Sequence, residues 1–223
     1  FPSCPRDHGK VQGIALRRLL VLGASGHGAV VAEAAVAAGV WVDVAFLDDS
    51  LAGESGVGLP VRGGLTGVEA MAGEGGAWIV AIGNNQKRLT LCDEIANNGS
   101  YLATVIHPGA TISPSAIVAA GSVACAGVVV NARARIGRGC ILNTGSTVDH
   151  DCSLADGVHV SPGANLAGNV AVGRCSWIGI GSAVREGINI GSGVVVGAGA
   201  AVVADIPDGG KVGGVPARRL ESK

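Results

Sequence analysis

Residues 113–154 decide the fold of this chain; written in groups of six they read SPSAIV AAGSVA CAGVVV NARARI GRGCIL NTGSTV DHDCSL. Every group ends in an apolar residue, and steps of six from Ile112 to Val202 give sixteen such positions, all of them apolar. With 48% hydrophobic residues in the chain, sixteen matches have odds on the order of one in 10^5. A six-residue period predicts a parallel β-helix of hexapeptide repeats, in which each group forms one short strand and a turn.

The repeats also predict where the β-helix lies. Three groups per triangular coil give roughly five coils, which we place over residues 109–207, with a C-terminal tail over 208–223. The residue two positions before each of these apolar residues is usually small or valine, as tight corners require. The period alone does not determine the handedness of the coil.

The first half of the chain has a different rhythm. Apolar runs at 19–23, 42–47, 59–61, 77–82 and 101–106 predict strands, and the segments 28–38 and 86–97 predict helices. Alternating strands and helices with short connections indicate a small parallel α/β sheet of the Rossmann-like type, over residues 18–108. Residues 1–17 match neither pattern, and we interpret them as an extension or a cloning remnant.

Composition excludes several classes of function. A net charge of −1 and 3% aromatic residues disfavour a nucleic-acid partner. Residues 95–132 lack any charged side chain, which raises the alternative of a membrane span, but polar residues and prolines interrupt the run, so we expect no membrane association. The six cysteines form no CxxC pair or cluster with histidine, which predicts small apolar fillers of a cytoplasmic protein and no metal site.

Several motifs occur in an order that carries a resemblance. They are GASGHG at 23–28, FLDD at 46–49, AIGNN at 81–85, LNTGSTVDHDC at 142–152, HVSPGANLAGNV at 159–170 and GGVPARRL at 213–220. Over residues 18–220 the chain resembles the sialic-acid O-acetyltransferase-like family of hexapeptide-repeat sugar acetyltransferases. The members most similar in pattern N-acetylate the C4 amine of a nucleotide-linked 4-amino-4-deoxysugar, in perosamine and bacillosamine biosynthesis.

The resemblance implies a set of properties for this chain. It implies a left-handed β-helix, a homotrimer, acetyl-CoA bound as co-substrate between neighbouring β-helices, and an N-terminal domain that holds the nucleotide sugar. It favours GDP-perosamine as the acceptor, with the UDP-linked bacillosamine precursor as the alternative. O-acetylation of a sugar hydroxyl, and a repeat scaffold without catalysis, remain open alternatives.

Polar and small residues follow three predicted strands of the N-terminal domain. A glycine-rich turn that opens a helix attracts phosphate, and acidic or amide side chains at the carboxyl ends of neighbouring strands meet sugars and ribose. The bland alternative for each is an ordinary tight turn. The predicted substrate-binding residues are Gly26, His27, Gly28, Asp48, Asp49, Asn84 and Asn85.

His150 is the strongest catalytic candidate, because it lies within the repeats and is flanked by Asp149 and Asp151. Acyl transfer from a thioester to an amine needs a proton acceptor near neutral pH, and a carboxylate can fix the tautomer of the imidazole. A solvated surface histidine is the alternative from the residues alone. The resemblance assigns the base to His150 and its carboxylate to Asp151, where the bacillosamine enzyme has Glu.

Six further positions match the family, although corner geometry alone also explains them. The resemblance places Asn143 near the sugar and the others near the cofactor, as follows: His159, Gly168, Ile180, Gly197 and Ala198. No nucleophile is paired with a base in the sequence, so direct attack without an acyl-enzyme is expected.

Overall fold

The computed structural model describes residues 18–50, 53–64 and 76–220. Its N-terminal part is the expected α/β sheet, whose strands pair in the order β3-β4-β2-β1-β5-β6. All neighbours are parallel except β3 and β4. The elements are β1 (Arg18–Leu22), α1 (Gly26–Ala38), β2 (Asp43–Leu47), β3 (Gly53–Glu54), β4 (Pro60–Val61), β5 (Ala77–Val80), α2 (Asn85–Asn97) and β6 (Tyr101–Leu102). The prediction for residues 1–17 lies outside the described residues.

Local chemistry sets the ends of the two helices. The α1 helix ends at Gly39, whose left-handed backbone (φ 67°) lets its N–H donate to the Val36 carbonyl. The α2 helix begins after Asn84, whose side chain accepts the Lys87 N–H at 2.9 Å. Both helices therefore start at the carboxyl end of a strand, where the sequence predicts ligand contacts.

The repeats form a parallel β-helix with one two-residue strand for each group of six. It starts with β7 (Val105–Ile106) and ends with β24 (Lys211–Gly213) and β25 (Arg218–Arg219). Between them lie β8 (Thr111–Ile112), β9 (Ile117–Val118), β10 (Val123–Ala124), β11 (Val129–Val130), β12 (Arg135–Ile136), β13 (Ile141–Leu142), β14 (Thr147–Val148), β15 (Ser153–Leu154), β16 (His159–Val160), β17 (Asn165–Leu166), β18 (Ala171–Val172), β19 (Trp177–Ile178), β20 (Ala183–Val184), β21 (Asn189–Ile190), β22 (Val195–Val196) and β23 (Ala201–Val202).

The coil has three faces. Face 1 contains the eight strands β25-β24-β22-β19-β16-β13-β10-β7, face 2 the six strands β23-β20-β17-β14-β11-β8, and face 3 the five strands β21-β18-β15-β12-β9. Equivalent residues of successive coils lie 18 positions apart, as in the pairing of Ile141 with His159 and of His159 with Trp177. We name the corners after the faces they join: corner 1–2, corner 2–3 and corner 3–1.

The apolar residue of each repeat ends its strand and points into the coil. From Ala124 to Val202 all of these residues are buried, and only Ile112 and Val118, in the first coil, are partly exposed. The β-helix is left-handed, as the resemblance implies. The core continues without a break from the sheet and α1 into the β-helix, so the two parts share one apolar interior.

The strand predicted over residues 101–106 is wrong. The segment forms two strands, of which β6 extends the N-terminal sheet while β7 pairs with β10 and begins face 1. The β-helix therefore starts upstream of residue 109. At the other end, the segment interpreted as a tail contains β24 and β25, and Lys211 stacks on Val195 after sixteen residues instead of eighteen. The last coil is thus two residues shorter than the others.

Candidate active site

His150 lies at corner 2–3, directly after β14. Its Nδ1 is 2.8 Å from Oδ2 of Asp151, and its side chain is 54% exposed. Its backbone N–H donates to Oδ1 of Asp149 at 2.7 Å, and the Asn131 amide donates to the same oxygen. The Asp149 pKa is lowered by these hydrogen bonds, the one from His150 being the larger cause. The imidazole is therefore held from Nδ1, while Nε2 is left for a reacting group.

Asp151 is held in turn by Arg133, one coil below. The guanidinium binds both carboxylate oxygens, with Nε 2.6 Å from Oδ1 and Nη2 2.8 Å from Oδ2. The hydrogen bonds from Arg133, and to a smaller degree from His150, hold the pKa of Asp151 well below its usual range. An ionised Asp151 accepts a hydrogen bond from Nδ1–H, so the neutral imidazole carries its lone pair on Nε2.

Gly168 lies one coil above His150 and covers its ring. A Cβ at this position would lie 2.6 Å from Cε1 and 2.7 Å from Nε2 of the imidazole. The equivalent corner position holds Ala132 one coil below His150 and Ala204 further along, so the backbone there accepts a side chain. Residue 168 therefore lacks a side chain because the His150 ring occupies that space, and not because the corner backbone excludes a Cβ.

His27 and His159 form a pair of histidines between the N-terminal part and the β-helix. His27, at the start of α1, stacks with His159 of β16 at 6.4 Å between ring centroids, and His159 contacts Trp177 at 4.4 Å. Asn143 is hydrogen-bonded to His159, with its Nδ2 3.3 Å from Nε2. Because the Asn143 oxygen accepts the Thr144 N–H, its amide N–H faces Nε2, which places the proton of His159 on Nδ1.

Burial keeps both rings neutral. Desolvation, with a smaller contribution from Arg88, lowers the pKa of His27 to about 4 and that of His159 to about 3. His27 Nε2 and His159 Nδ1 are buried without a hydrogen-bond partner. Neither ring is suited to take a proton near pH 7, so of these three histidines only His150 has the setting of a base.

Arg88 of α2 is fully buried and anchors this region. Its guanidinium donates to the carbonyls of Gly139 and Gly157 at corner 3–1, to that of Ile82 after β5, and to the side chain of Asn85. Burial lowers its pKa to about 10, so it remains charged at neutral pH. Arg88 therefore ties the loop after β5 to two coils of the β-helix.

Five of the residues predicted at the sheet edge lie around the GASGHG turn and the neighbouring turn after β2. Asp48 accepts the Ala24 N–H at 2.8 Å and so shapes the GASGHG turn, while a Cβ on Gly28 would lie 2.0 Å from the Gly23 carbonyl oxygen. Gly26 and His27 open α1 with no atom within 4 Å of a Cβ at Gly26, which leaves this helix start accessible. Beside it, Asp49 follows Asp48 on the same turn after β2.

Asn84 and Asn85 are used within the protein. Asn84 caps α2, and Asn85, 7% exposed, donates to the carbonyls of Cys175 and Ser176. The side chain of Asn85 thus belongs to the packing between the two parts of the molecule. Its predicted contact with substrate has no free polar atom to support it in this arrangement.

The remaining predicted residues lie at a different corner from His150. Asn143, Ile180, Gly197 and Ala198 follow strands of face 1 and lie at corner 1–2, where Ile180 is 55% exposed. His150 and Gly168 lie at corner 2–3, on the far side of face 2. One chain therefore groups the predicted residues into two clusters. His150, Asp151 and Gly168 lie at corner 2–3. His159 on face 1 lies with His27 and Asn143, and Ile180, Gly197 and Ala198 lie along the same corner 1–2 as Asn143.

A family match and several solved structures show which proteins this chain is similar to. The family description "PglD N-terminal domain" matches residues 18–95. The acetyltransferase domain of PglB from Neisseria gonorrhoeae, solved with acetyl coenzyme A, is 47% identical, with a TM-score of 0.90 over 92% of this chain and 99% of that one. The chain belongs to the hexapeptide-repeat sugar acetyltransferase family.

Two further solved structures are similar to this chain. Perosamine N-acetyltransferase from Caulobacter crescentus, solved as a histidine-to-asparagine variant with CoA and GDP-perosamine, is 36% identical with a TM-score of 0.85, over 92% of this chain and 97% of that one. WeeI from Acinetobacter baumannii is 29% identical with a TM-score of 0.81, over 91% of this chain and 99% of that one. The recognition of the sugar acetyltransferase family from sequence is confirmed.

Sequence reasoning missed two arginines of this family member, Arg88 and Arg133. A signal for Arg133 was present. Most corners have one left-handed position, which glycine fills at 127, 145, 163, 181 and 199 of corner 1–2. Corner 2–3 has Arg133, Asp151 and Asn169 there with φ near 60°, followed by Gly187, and Cys175 is the one such non-glycine residue in the described part of corner 3–1. Non-glycine residues in this conformation are costly and cluster at functional sites. Arg88 gives no such signal, because its partners are backbone carbonyls distant in sequence.

Other predictions concern metal, cysteine and membrane. In the described ranges no group of three or more His, Cys, Asp or Glu side chains is placed to hold a metal ion. Cys92, Cys125, Cys140 and Cys152 are buried free thiols, as predicted, while Cys175 is half-buried and Cys4 lies outside the described residues. None of the helices within residues 18–50, 53–64 and 76–220 has the length and apolar character needed to span a membrane.

Proposed function

We propose that this family member transfers the acetyl group of acetyl-CoA to the C4 amine of a nucleotide-linked 4-amino-4-deoxysugar, with His150 as the general base. The observation that carries the proposal is the Arg133–Asp151–His150 chain, which fixes Nδ1 and leaves Nε2 as a proton acceptor beneath Gly168. The similar structures with acetyl coenzyme A and with CoA and GDP-perosamine support the choice of substrates.

The reaction follows from these groups. The neutral amine attacks the thioester carbonyl carbon and forms a tetrahedral intermediate that carries an ammonium and an oxyanion. His150 Nε2 takes the proton from the nitrogen, and Asp151 stabilises the resulting imidazolium. The oxyanion then re-forms the carbonyl as the C–S bond breaks, and the CoA thiolate takes the proton from the His150 imidazolium, which yields the amide, the thiol and the neutral base. No covalent acyl-enzyme is needed.

The backbone N–H of Gly168 is suited to stabilise the oxyanion. At the equivalent position of His150 the N–H is taken by the side chain of the preceding Asp149, and at Thr144 by that of Asn143. The residue before Gly168 is Ala167, which has no acceptor to offer. A preorganised donor of this kind contributes about 3–4 kcal/mol to the stabilisation of an oxyanion.

The acceptor nucleotide fits the N-terminal sheet edge. The start of α1 at Gly26 and His27 presents backbone N–H groups and the positive end of the helix dipole, which suits a diphosphate. Asp48 and Asp49 lie on the neighbouring turn after β2, where hydroxyl groups of a sugar or ribose would be recognised. His159 and Asn143 line the side of this region that belongs to the β-helix.

GDP-perosamine is the acceptor proposed here, because the Caulobacter structure holds it together with CoA at 36% identity over 92% of this chain. The UDP-linked bacillosamine precursor is the second candidate, because the pattern of motifs also resembles the bacillosamine-pathway enzyme. The higher identity, 47%, is to the PglB domain, whose bound ligand is acetyl coenzyme A.

The position of the two clusters supports a homotrimer. A site that contains both His150 and the His27–His159 pair needs corner 2–3 of one chain to face corner 1–2 of another. In a cyclic trimer the same groove occurs three times, with Ile180, Gly197 and Ala198 on one wall and Gly168 on the other. Light scattering that gives an active monomer of about 22 kDa would contradict this assembly.

The proposal is tested by following thiol release from acetyl-CoA with a panel of GDP-, UDP- and dTDP-linked 4-amino sugars, and with the matching 4-hydroxy sugars. We expect release with amino sugars, highest for GDP-perosamine, and an acetylated amine in the product by mass spectrometry. Turnover of the hydroxy sugars alone would identify an O-acetyltransferase. An absence of thiol release with every sugar would favour the scaffold alternative.

A further inference from the structure

Arg133 is an exposed arginine with a left-handed backbone, and both its backbone N–H and its guanidinium are hydrogen-bonded. Its φ is 63°, in the left-handed region, and its N–H donates to the Ser115 hydroxyl one coil below. Its guanidinium binds both oxygens of Asp151, which has φ 60° at the equivalent position of the next coil. Two strained residues are therefore stacked and joined by a bidentate ion pair.

This strain has a consequence for His150. A hydrogen bond between the side chains of adjacent residues, such as that of His150 Nδ1 with Asp151 Oδ2, requires the carboxylate to turn back over the preceding ring. The left-handed corner gives that direction, but it costs free energy for any residue other than glycine. The guanidinium of Arg133 binds both oxygens of the same carboxylate from the other side. This ion pair offsets the cost of the left-handed backbone and holds the carboxylate where it can bind the imidazole.

We propose that Arg133 is a positioning residue for the reaction, which orients Asp151 and, through it, the imidazole of His150. The inference rests on the proposed function, since it concerns the same base. Oδ2 of Asp151 is shared between Arg133 Nη2 and His150 Nδ1, both at 2.8 Å. Arg133 thereby shares the carboxylate charge that would stabilise the imidazolium.

The charged groups around His150 are few in the described part of the corner. Arg133 lies one coil below, and Asp149 and Asp151 flank the ring on its own coil. The coil above contributes the uncharged Gly168 and Asn169, and Arg185 and Glu186 follow one coil further. Removal of Arg133 therefore leaves two carboxylates nearest to the imidazole, which favours its protonated form.

The test compares Arg133→Met with Arg133→Lys, and with Arg135→Met as the matched control, since Arg135 is an exposed arginine on face 3 two residues away. We expect Arg133→Met to lower kcat about 10-fold at pH 7 and to move the acid limb of the kcat/KM profile to higher pH. Arg133→Lys keeps the charge without the fork, so its limb stays near that of the wild type while kcat falls less. Arg135→Met leaves both unchanged.

Two further measurements separate this role from others. In an Asp151→Asn background, Arg133→Met should cause no further loss of kcat, because Arg133 acts through the carboxylate. NMR titration of the His150 ring, identified by its loss in His150→Asn, should show a higher midpoint in Arg133→Met even without substrate. An unchanged ring titration, or an equal loss in the Asp151→Asn background, overturns the proposal. Failure of all acetyl transfer by the wild type would instead refute the proposed function, and the ring titration would still decide the role of Arg133.

Discussion

The substitution Gly168→Ala tests the geometry of the site through a single methyl group. The new Cβ would lie 2.6 Å from Cε1 and 2.7 Å from Nε2 of His150, where ordinary contacts begin at 3.4 Å. The ring must therefore move by at least about 0.8 Å, and the moving edge carries the proton-accepting nitrogen. A displacement of about 1 Å costs roughly 10²-fold in rate, so we expect kcat to fall about 100-fold.

The same structure predicts that the fold tolerates this change. The backbone of residue 168 is not left-handed, the equivalent positions 132 and 204 hold alanine, and the His150 ring can swing into solvent. We expect the melting temperature to change little. The assay is thiol release at saturating acceptor, with Gly56→Ala as the control, since a Cβ at Gly56 meets no atom within 4 Å. If Gly168→Ala keeps more than half of the wild-type kcat, the placement of the base beneath Gly168 is refuted.

Two predictions concern stability. Arg88→Met should lower the free energy of unfolding by about 3–5 kcal/mol, because it leaves buried carbonyls of Gly139 and Gly157 without their donor; denaturant unfolding measures this, and a loss below about 1 kcal/mol would contradict the anchoring role. His27 and His159 have lowered pKa values of about 4 and about 3 in the folded protein, whereas unfolded histidine has 6.5. Below pH 6.5 the unfolded chain thus binds up to two more protons than the folded protein. The stability that the two neutral histidines contribute is therefore fully present above pH 6.5, and the free energy of unfolding should fall by at most about 2.7 kcal/mol per pH unit as the pH drops towards 4. The double variant His27→Gln/His159→Gln should flatten this dependence, and an equally steep curve in it would show that other groups cause the loss.

Much of the fold was predictable because the position of the apolar residue within each repeat indicates where a strand ends. Six-residue spacing of apolar residues directly encodes which side chains point inward, and the sixteen predicted strands all end at those residues. The boundary near residue 105 was not predictable in this way. The apolar residues 101–106 fit one strand as well as two, and only the pairing of β7 with β10 separates them.

The candidate site was predictable where a local motif carries the chemistry, as at Asp149, His150 and Asp151. It was not predictable where partners come from neighbouring coils or from the other part of the molecule. Arg133 lies 18 residues before Asp151, and Arg88 lies 51 residues before Gly139. Asn85 shows the reverse case, because its position at a strand end suggests a ligand contact, whereas the packing of α2 against corner 3–1 uses its side chain.

The most direct test of the central claim is kcat of His150→Asn at pH 7 with acetyl-CoA and the preferred amino-sugar nucleotide. Asparagine keeps much of the shape of the side chain but cannot accept the proton, so we expect kcat to fall by roughly 10²- to 10⁴-fold while both substrates still bind. Part of the rate should return as the pH is raised, since solvent base can take the proton from the tetrahedral intermediate. A variant that keeps more than about a third of the wild-type kcat at pH 7 would contradict the assignment of His150 as the base.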